Sequence, residues 1–283
     1  MRKFVGASSV LACGMAALLS GAAAQNAPAP NFGPDSTTAW IALDQEFLPP
    51  PNGPGPVMAD PAHKPKPGQS QFRVADLSNP ILQPWAREEL RKANERALSG
   101  KPAYTPKERC WPIGVPGFLL YPVFPVYFLQ TPNEVTMIWA EDHQVRRIYL
   151  NQPHSARPAP SWFGESVGRY EGDTLVVDTI GLNTRTFVDS YRTPHTDKLH
   201  VVERFRLIDG GKTLEAKVHV DDPGAFTTSW DGLQHYRRIG SAGDAADPRV
   251  PTGPMEEMVC AENNGDIFNE GLEPIPTAAK PDF

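Results

Sequence analysis

Two carboxylates in this chain lie on predicted strands at positions where they could carry out acid/base chemistry. Glu203 shares one face of the predicted strand Leu199–Leu207 with apolar side chains, so its carboxylate must be paired or protonated. It is either a general acid/base in a cavity or the structural partner of an inward-facing arginine. Asp178 lies near the end of the predicted strand Thr174–Ile180, which is apolar on both faces, and is the second candidate.

Histidines beside strand ends are the candidate proton-transfer partners of these carboxylates. His154 follows a strand end among turn residues, and His195 lies in the long loop before the strand that carries Glu203. Loop histidines at the mouth of a barrel suit proton transfer near neutral pH, although surface histidines without a function are common. We therefore predict four catalytic residues: Glu203, His154, Asp178 and His195.

Three other kinds of catalytic site find little support in the sequence. His154, His195 and His200 could supply zinc ligands beside a carboxylate, but the HExxH spacing is absent and we predict no metal. Residues 164–168 match the pattern around a hydrolase serine nucleophile, but a strand follows them where that site requires a helix. No phosphate-binding or dinucleotide-binding motif occurs, so the predicted chemistry needs no cofactor.

A small-molecule ligand of such a site is predicted to contact side chains of neighbouring strands. Trp139 and Glu141 share one face of the predicted strand 135–141. Arg147 and Tyr149 share a face of the next strand. In a hairpin Glu141 and Arg147 could meet near one barrel rim, either as a structural pair or with Arg147 holding an anionic substrate. The predicted ligand-binding residues are Arg147, Glu141, Tyr149, Trp139, Phe205 and Trp230.

Short segments with period-two alternation follow one another from about residue 124 to residue 240. Each is rich in Val, Ile, Thr and aromatic residues, and turn residues separate them. This pattern predicts a mainly β fold, a closed up-and-down antiparallel β-barrel of the lipocalin or calycin kind, with a β-sandwich as the alternative. The predicted strands are Val126–Leu129, Val135–Glu141, Val145–Leu150, Thr174–Ile180, Leu199–Leu207, Thr213–Val220, Phe226–Trp230 and His235–Ile239.

Outside the strands, the sequence predicts one helix, an extended arm and an irregular tail. Residues 84–98 have apolar side chains at helical spacing, with a proline suited to the first turn. Residues 25–72 are rich in proline and predict an extended arm. Either its apolar segment 40–47 docks on the barrel or on a partner, or the whole arm is a flexible linker. The predicted β-barrel domain is thus 73–240, followed by a tail at 241–283.

The first 24 residues predict a cleavable secretory signal, 1–24. Arg2 and Lys3 precede an apolar stretch that is too short to span a bilayer, and Ala22–Ala24 fits the small-residue cleavage rule. Cleavage leaves 25 basic and 33 acidic residues, a net charge of −8, which disfavours nucleic acid as a partner. We expect a periplasmic or secreted protein without a stable membrane span.

Cys110 and Cys260 are the two cysteines that remain after the predicted cleavage. An even number in an oxidising compartment predicts a disulfide between them, and two buried thiols are the alternative. The bond would tie the C-terminal tail to the barrel domain.

Residues 166–179, with the sequence SVGRYEGDTLVVDT, carry a resemblance to a known family. Together with shorter segments such as Cys110–Pro112 and Asp222–Phe226, this stretch resembles a family of secreted, mainly proteobacterial proteins. The family usually has tryptophan at the position of Tyr170. The resemblance extends over about residues 84–240 and implies export and a shared fold, but no particular reaction.

These observations lead to three functional hypotheses. The first is an exported, cofactor-independent enzyme, a lyase, isomerase or hydrolase. It would perform elimination, isomerisation or hydrolytic ring opening on a small, apolar or aromatic substrate in a barrel cavity. The second is a periplasmic binding or carrier protein for an apolar ligand in the same cavity. The third is an envelope interaction module that uses the proline-rich arm.

Overall fold

The computed structural model describes residues 28–34, 38–64, 72–101, 105–122, 124–142 and 144–239. The predicted leader, the predicted tail and Cys260 lie outside these residues, so the secretory signal and the disulfide stay predictions. Within the described residues, no helix is both long enough and apolar enough to cross a membrane.

Nine strands of the described chain form one closed β-barrel. They are β1 (Ala39–Ala42), β2 (Val126–Gln130), β3 (Glu134–Trp139), β4 (Gln144–Leu150), β5 (Glu165–Glu171), β6 (Thr174–Ile180), β7 (His200–Ile208), β8 (Thr213–Asp221) and β9 (Trp230–Ile239). Each strand pairs with the next along the chain, and β9 pairs with β1 to close the barrel. The predicted mainly β barrel is confirmed and the sandwich is wrong, whereas a relationship to lipocalins stays a prediction.

Helix α1 spans Pro84–Leu98, as the sequence predicts. Leu90 and Asn94 are among the residues of its buried face, four positions apart and therefore on the same side of the helix. The buried Asn94 amide is satisfied because it accepts the Ala75 N–H (2.8 Å) and donates to the Ala75 carbonyl (2.9 Å). This pair attaches the segment before the helix to the helix itself.

Strand β1 lies in the segment that the sequence assigns to the proline-rich arm. It pairs with β9 from Ala39 to Ala42 and with β2 at Trp40, so the arm supplies the strand that closes the barrel. Trp40 and Phe47 are both buried in the core. The predicted domain boundary at residues 72 and 73 is therefore wrong, because a four-residue strand between prolines gives too short a pattern to recognise.

Strand β5 departs from the predicted up-and-down order. It runs parallel to β4, with Ile148 opposite Ser166, so residues 151–164 must cross back over the barrel wall. Gly164 has a positive φ of 62°, and a Cβ at this position would lie 2.4 Å from the Ile180 carbonyl oxygen. The crossing segment thus passes too close to β6 for a side chain, and it carries His154 onto the outer wall.

The face of β4 that was predicted to contact a ligand inside the barrel points outward, and the other face points inward. Arg146 is buried inside the barrel, whereas Arg147 is exposed. Arg147 therefore donates to Glu134, from Nε (2.9 Å) and Nη2 (2.6 Å), and the predicted rim pair with Glu141 is wrong. The alternation in β4 was ambiguous because two arginines are adjacent in the sequence. Arg146 is the one that faces inward, where it pairs with the buried carboxylate of Glu203.

Side chains fill the part of the barrel interior around Arg146. The 3₁₀ helix Gly117–Leu120 adds buried apolar side chains to those of the strands. A cavity beside Arg146 and Gln144 has a volume of only about 10 Å³, room for at most one water molecule. Packed side chains thus leave little free space around Arg146.

Candidate functional site

Two histidines and two carboxylates form a hydrogen-bonded chain on the outer wall of the barrel. Asp178 Oδ1 lies 2.9 Å from His154 Nε2 and 2.9 Å from His200 Nε2. The other ring nitrogen of His154, Nδ1, lies 3.0 Å from Glu165 Oε1. These side chains are 22–39% exposed, so the outer cluster (Glu165, His154, Asp178 and His200) can be reached from solvent.

Strand alternation and register bring the outer cluster together. In β6 the residues on either side of Asp178 face the core, and in β7 the residue after His200 does so too. Because side chains alternate along a strand, those of Asp178 and His200 face outward. Asp178 lies opposite Val202, which places His200 in the diagonal position on the same face. His154 reaches the pair from the crossing segment, and Glu165 lies where that segment enters β5.

Local interactions favour the ionised form of both carboxylates. Burial is the largest influence on Asp178 and raises its pKa, but His154 and His200 together outweigh burial and lower the pKa below its ordinary value. A hydrogen bond from the Ser155 side chain is the largest influence on Glu165 and lowers its pKa against the effect of burial. The Ser155 N–H (2.7 Å) and His154 lower that pKa further. Along the hydrogen-bonded chain, these two carboxylates alternate with the two imidazole rings.

Hydrogen-bond directions give the two histidines different roles. Both ring nitrogens of His154 face carboxylate oxygens, so His154 bridges Glu165 and Asp178 and keeps neither nitrogen available to a ligand. His200 donates from Nε2 to Asp178, while its Nδ1 has no hydrogen-bond partner in the part of the chain that the structure describes. A histidine oriented in this way by a carboxylate presents its free nitrogen as a general base.

A groove of about 510 Å³ lies beside the outer cluster on the same wall. Outward-facing side chains of β7, β8 and β9 form its floor, and Pro50 and Pro51 form one side. Val202 lines the groove two residues from His200, a spacing of about 7 Å along a strand. The volume lies in the range of small-molecule sites, so a ligand in the groove would lie next to the outer cluster.

The groove contains a second histidine–aspartate pair. His219 Nδ1 lies 2.8 Å from Asp231 Oδ1, which leaves Nε2 as the ring nitrogen available to a ligand. His219 lies opposite Val202 on one side and Asp231 on the other. The pair therefore continues the row of outward-facing side chains that begins with Asp178.

Glu203 lies on the opposite side of the wall, inside the barrel, and is fully buried. Arg146 donates from Nη1 to Oε1 (3.0 Å) and from Nη2 to Oε2. The same guanidinium donates to Ser166 Oγ (3.1 and 3.2 Å) and Thr179 Oγ1 (2.9 Å). Because one arginine occupies both carboxylate oxygens, the structure favours the structural interpretation of Glu203 over the predicted catalytic role.

His195 is buried and does not face the outer cluster. Its Nδ1 donates to the Thr196 carbonyl (2.9 Å), so the neutral ring accepts at Nε2 from the Thr186 hydroxyl (2.9 Å). Burial is the main cause that lowers the pKa of His195, against smaller opposing effects of Thr196 and Asp222. The expected position of His195 at an open barrel mouth is thus wrong, because its loop packs into the core.

The pH dependence of stability tests this description of His195. Because the folded-state pKa lies below the ordinary 6.5, the unfolded chain binds the proton more readily. The contribution of neutral His195 is then complete above about pH 6.5 and is lost as pH falls through the lowered pKa. Urea unfolding of wild type and His195→Asn should show a stability difference that shrinks between about pH 7.5 and pH 5. A difference that stays constant or grows would contradict the assignment.

The predicted aromatic ligand-binding residues belong to the core. Trp139, Phe205 and Trp230 are each at most 3% exposed. Phe205 packs edge-on against Phe128 (6.0 Å between ring centroids) and Trp230 against Phe226 (5.9 Å). Aromatic side chains on the inward face of a filled barrel supply packing rather than a ligand surface.

Among the predicted charged and polar ligand-binding residues, Arg147 and Tyr149 are in contact, but Glu141 does not join them. Glu141 pairs with Lys107 Nζ (2.8 Å). The Arg147 guanidinium lies over the ring of Tyr149 at 5.2 Å, on the outside of β4. None of the six predicted ligand-binding residues lines the groove.

Glu165, His219 and Asp231 are site residues that sequence reasoning missed, and His200 was considered there as a candidate zinc ligand, not as one of the predicted catalytic residues. Glu165 begins β5, a strand hidden by its glycine-flanked sequence. His219 and Asp231 occupy outward-facing positions of β8 and β9, where a solvated surface is the usual interpretation. They could have been predicted from polar residues that occupy paired outward positions on neighbouring strands.

Within the described ranges, no group of three or more His, Cys, Asp and Glu side chains is arranged to hold a metal ion. Comparison of the chain with known protein families and with curated proteins finds no match. The function of the outer cluster therefore has to be inferred from its geometry.

Proposed function

We propose that the protein is an exported enzyme that uses the outer cluster for acid/base chemistry on a small organic molecule. The observation that carries this proposal is the pair of 2.9 Å contacts from His154 Nε2 and His200 Nε2 to one oxygen of Asp178 on a solvent-reachable wall. Proton transfer between side chains and a substrate needs no cofactor and suits elimination, isomerisation or hydrolysis. The proposed class is therefore a lyase, an isomerase or a hydrolase.

Each member of the outer cluster has a distinct role in this proposal. His200 is the general base, and it takes the substrate or water proton at Nδ1. Asp178 fixes the tautomer and orientation of His200 and stabilises the imidazolium that forms. His154 and Glu165 are positioning residues, because they hold the Asp178 carboxylate from its other side.

Replacement of His200 by glutamine tests the proposed base. Glutamine can still donate to Asp178 but has no basic nitrogen, so we expect hydrolysis of 4-nitrophenyl acetate to slow about a hundredfold. In this assay the base draws a proton from the attacking water, and acetate and 4-nitrophenol are released. His63→Gln is the matched control, because His63 also pairs with an aspartate, Asp60 (3.5 Å), but lies on a turn outside the cluster.

Equal hydrolysis rates for wild type, His200→Gln and His63→Gln would contradict the enzyme proposal. Asp178→Asn adds a second arm, because it leaves His200 present but removes the carboxylate that fixes its tautomer. We expect this variant to lie between wild type and His200→Gln.

A binding or carrier protein for a small ligand is the second candidate, and the groove of about 510 Å³ is the observation that favours it. If ligands bind in the groove and the His200→Gln variant hydrolyses the ester as fast as wild type, the carrier interpretation replaces the enzyme. The envelope-module hypothesis loses its main feature, because Trp40 and Phe47 are buried in the chain's own barrel.

A further inference from the structure

Lys217 carries a positive charge in the groove that neighbouring carboxylates neutralise poorly. Among the described residues, its ion pair is with Glu215 at 4.0 Å, the limit of such a contact. Glu215 already accepts from Arg206 Nε (2.7 Å) and lies 3.3 Å from His235 Nε2. The Lys217 ammonium is therefore available to an anion that enters the groove.

Arg204 places a second positive charge directly beside Lys217. The two residues lie opposite each other on β7 and β8, an arrangement in which like charges repel. Arg204 donates from Nη1 to Glu171 Oε2 (2.8 Å), but Glu171 also accepts two hydrogen bonds from Arg169. Since one carboxylate serves two arginines, an anion between Arg204 and Lys217 would relieve the repulsion.

Apart from His219 and Asp231, whose carboxylate is paired with the His219 ring (2.8 Å), the remaining lining of the groove is apolar. Val202 and Leu233 lie on the floor, and Pro50 and Pro51 form the side. The arm is fixed there because Leu48 and Leu233 exchange backbone hydrogen bonds (2.9 Å each). The groove thus combines an apolar surface with a cationic end, and the outer cluster lies next to it.

We infer that this groove binds a small organic carboxylate with an apolar body. The carboxylate group contacts Lys217 and Arg204, and the apolar body lies on Val202 and Leu233. The inference rests on the proposed function only in treating this ligand as the substrate of the outer cluster. It adds a substrate class, a small organic anion, and it adds Lys217 and Arg204 as residues that determine specificity.

Binding of phenylacetate, compared with its neutral analogue phenylacetamide, tests the inference. In methyl NMR titrations of the full chain, phenylacetate should shift the Val202 and Leu233 methyl signals but not those of Leu98 and Leu129, which are exposed elsewhere. Phenylacetamide should bind about tenfold more weakly, because it has no charge to place on the cations.

Charge-removal variants provide the matched comparison. Arg204→Gln/Lys217→Gln should weaken phenylacetate binding about tenfold, since exposed pairs contribute modestly and two are lost. Arg91→Gln/Lys92→Gln removes one arginine and one lysine from the exposed face of α1 and should leave the affinity unchanged.

Three results would overturn the inference: no shift at Val202 and Leu233, equal affinity for the amide, or unchanged affinity in Arg204→Gln/Lys217→Gln. Each of these is a binding measurement and leaves the esterase comparison of His200→Gln unaffected. Conversely, charge-dependent binding with no effect of His200→Gln on hydrolysis would support the groove and contradict the proposed enzyme.

Discussion

Replacement of Glu203 by alanine is expected to lower the free energy of unfolding by about 3–5 kcal/mol. The Arg146 guanidinium would keep its position inside the barrel but lose both carboxylate contacts. Ser166 and Thr179 would remain as neutral partners, and they cannot offset a buried charge. Urea unfolding of wild type and variant, followed by tryptophan fluorescence, measures the loss.

Glu134→Ala is the matched control for this loss. Glu134 also accepts two hydrogen bonds from one arginine, Arg147, but the Arg147 side chain is 57% exposed, so water replaces the lost contact and the change should be far smaller. The double variant Arg146→Met/Glu203→Leu should be markedly more stable than Glu203→Ala, because it leaves no buried charge. If Glu203→Ala destabilises no more than Glu134→Ala, the buried pair does not support the barrel as described.

Replacement of Trp40 by alanine is the second large effect that we expect, with a loss of about 3–5 kcal/mol. Trp40 is 1% exposed and packs in the main core, and its Nε1 donates to the Phe32 carbonyl (2.8 Å). The substitution would leave a cavity at β1, the short strand through which β9 closes the barrel. Chemical denaturation gives the free energy, and amide exchange of β9 shows whether the closing strand has opened.

Trp85→Ala is the control for the Trp40 variant. Trp85 lies on α1, is 41% exposed, and also donates from Nε1 to a backbone carbonyl, that of Gly224 (2.6 Å). Because it lacks the buried packing, its replacement should cost at most about 1 kcal/mol. Similar losses for the two tryptophans would show that residues 38–47 are not a part of the barrel core.

Comparison of these stability variants with substitutions at His200 also distinguishes residues that stabilise the barrel from residues that carry out chemistry. Glu203 and Arg146 support the inside of the wall, whereas the outer cluster lies on its other face. Substitutions at His200 are therefore expected to change catalysis with little effect on unfolding. A His200→Gln variant that loses ester hydrolysis but unfolds like wild type would assign the outer cluster to function rather than to stability.

Local pattern was sufficient for the elements that are long and strongly periodic. The helix at residues 84–98 and the strand Thr174–Ile180 appear with the predicted bounds. Period-two alternation also placed Glu203 on the inward face of its strand. These predictions succeeded because the side chains concerned repeat with the period of one regular element.

Local pattern failed where a feature depends on distant parts of the chain. The closing strand Ala39–Ala42 is too short to show a period, and its place is set by pairing with β9, almost 200 residues away. The inward face of β4 carries Arg146 with Ile148 and Leu150, and the partner of Arg146, Glu203, lies on β7, where the pattern of β4 alone does not show it. Buried aromatics were assigned to a ligand because the sequence alone does not reveal whether inward-facing rings pack against other side chains or line a cavity.

The sequence by itself determined a mainly β barrel with one helix, and it identified His154 and Asp178 as separate candidates. Only the tertiary structure decided that these two residues meet His200 and Glu165 on the outer wall. The parallel crossing of residues 151–164 carries His154 there, and the register of β6 against β7 brings Asp178 within 2.9 Å of His200. Crossing and register are non-local, because they depend on which strands pair and not on the residues of any one strand.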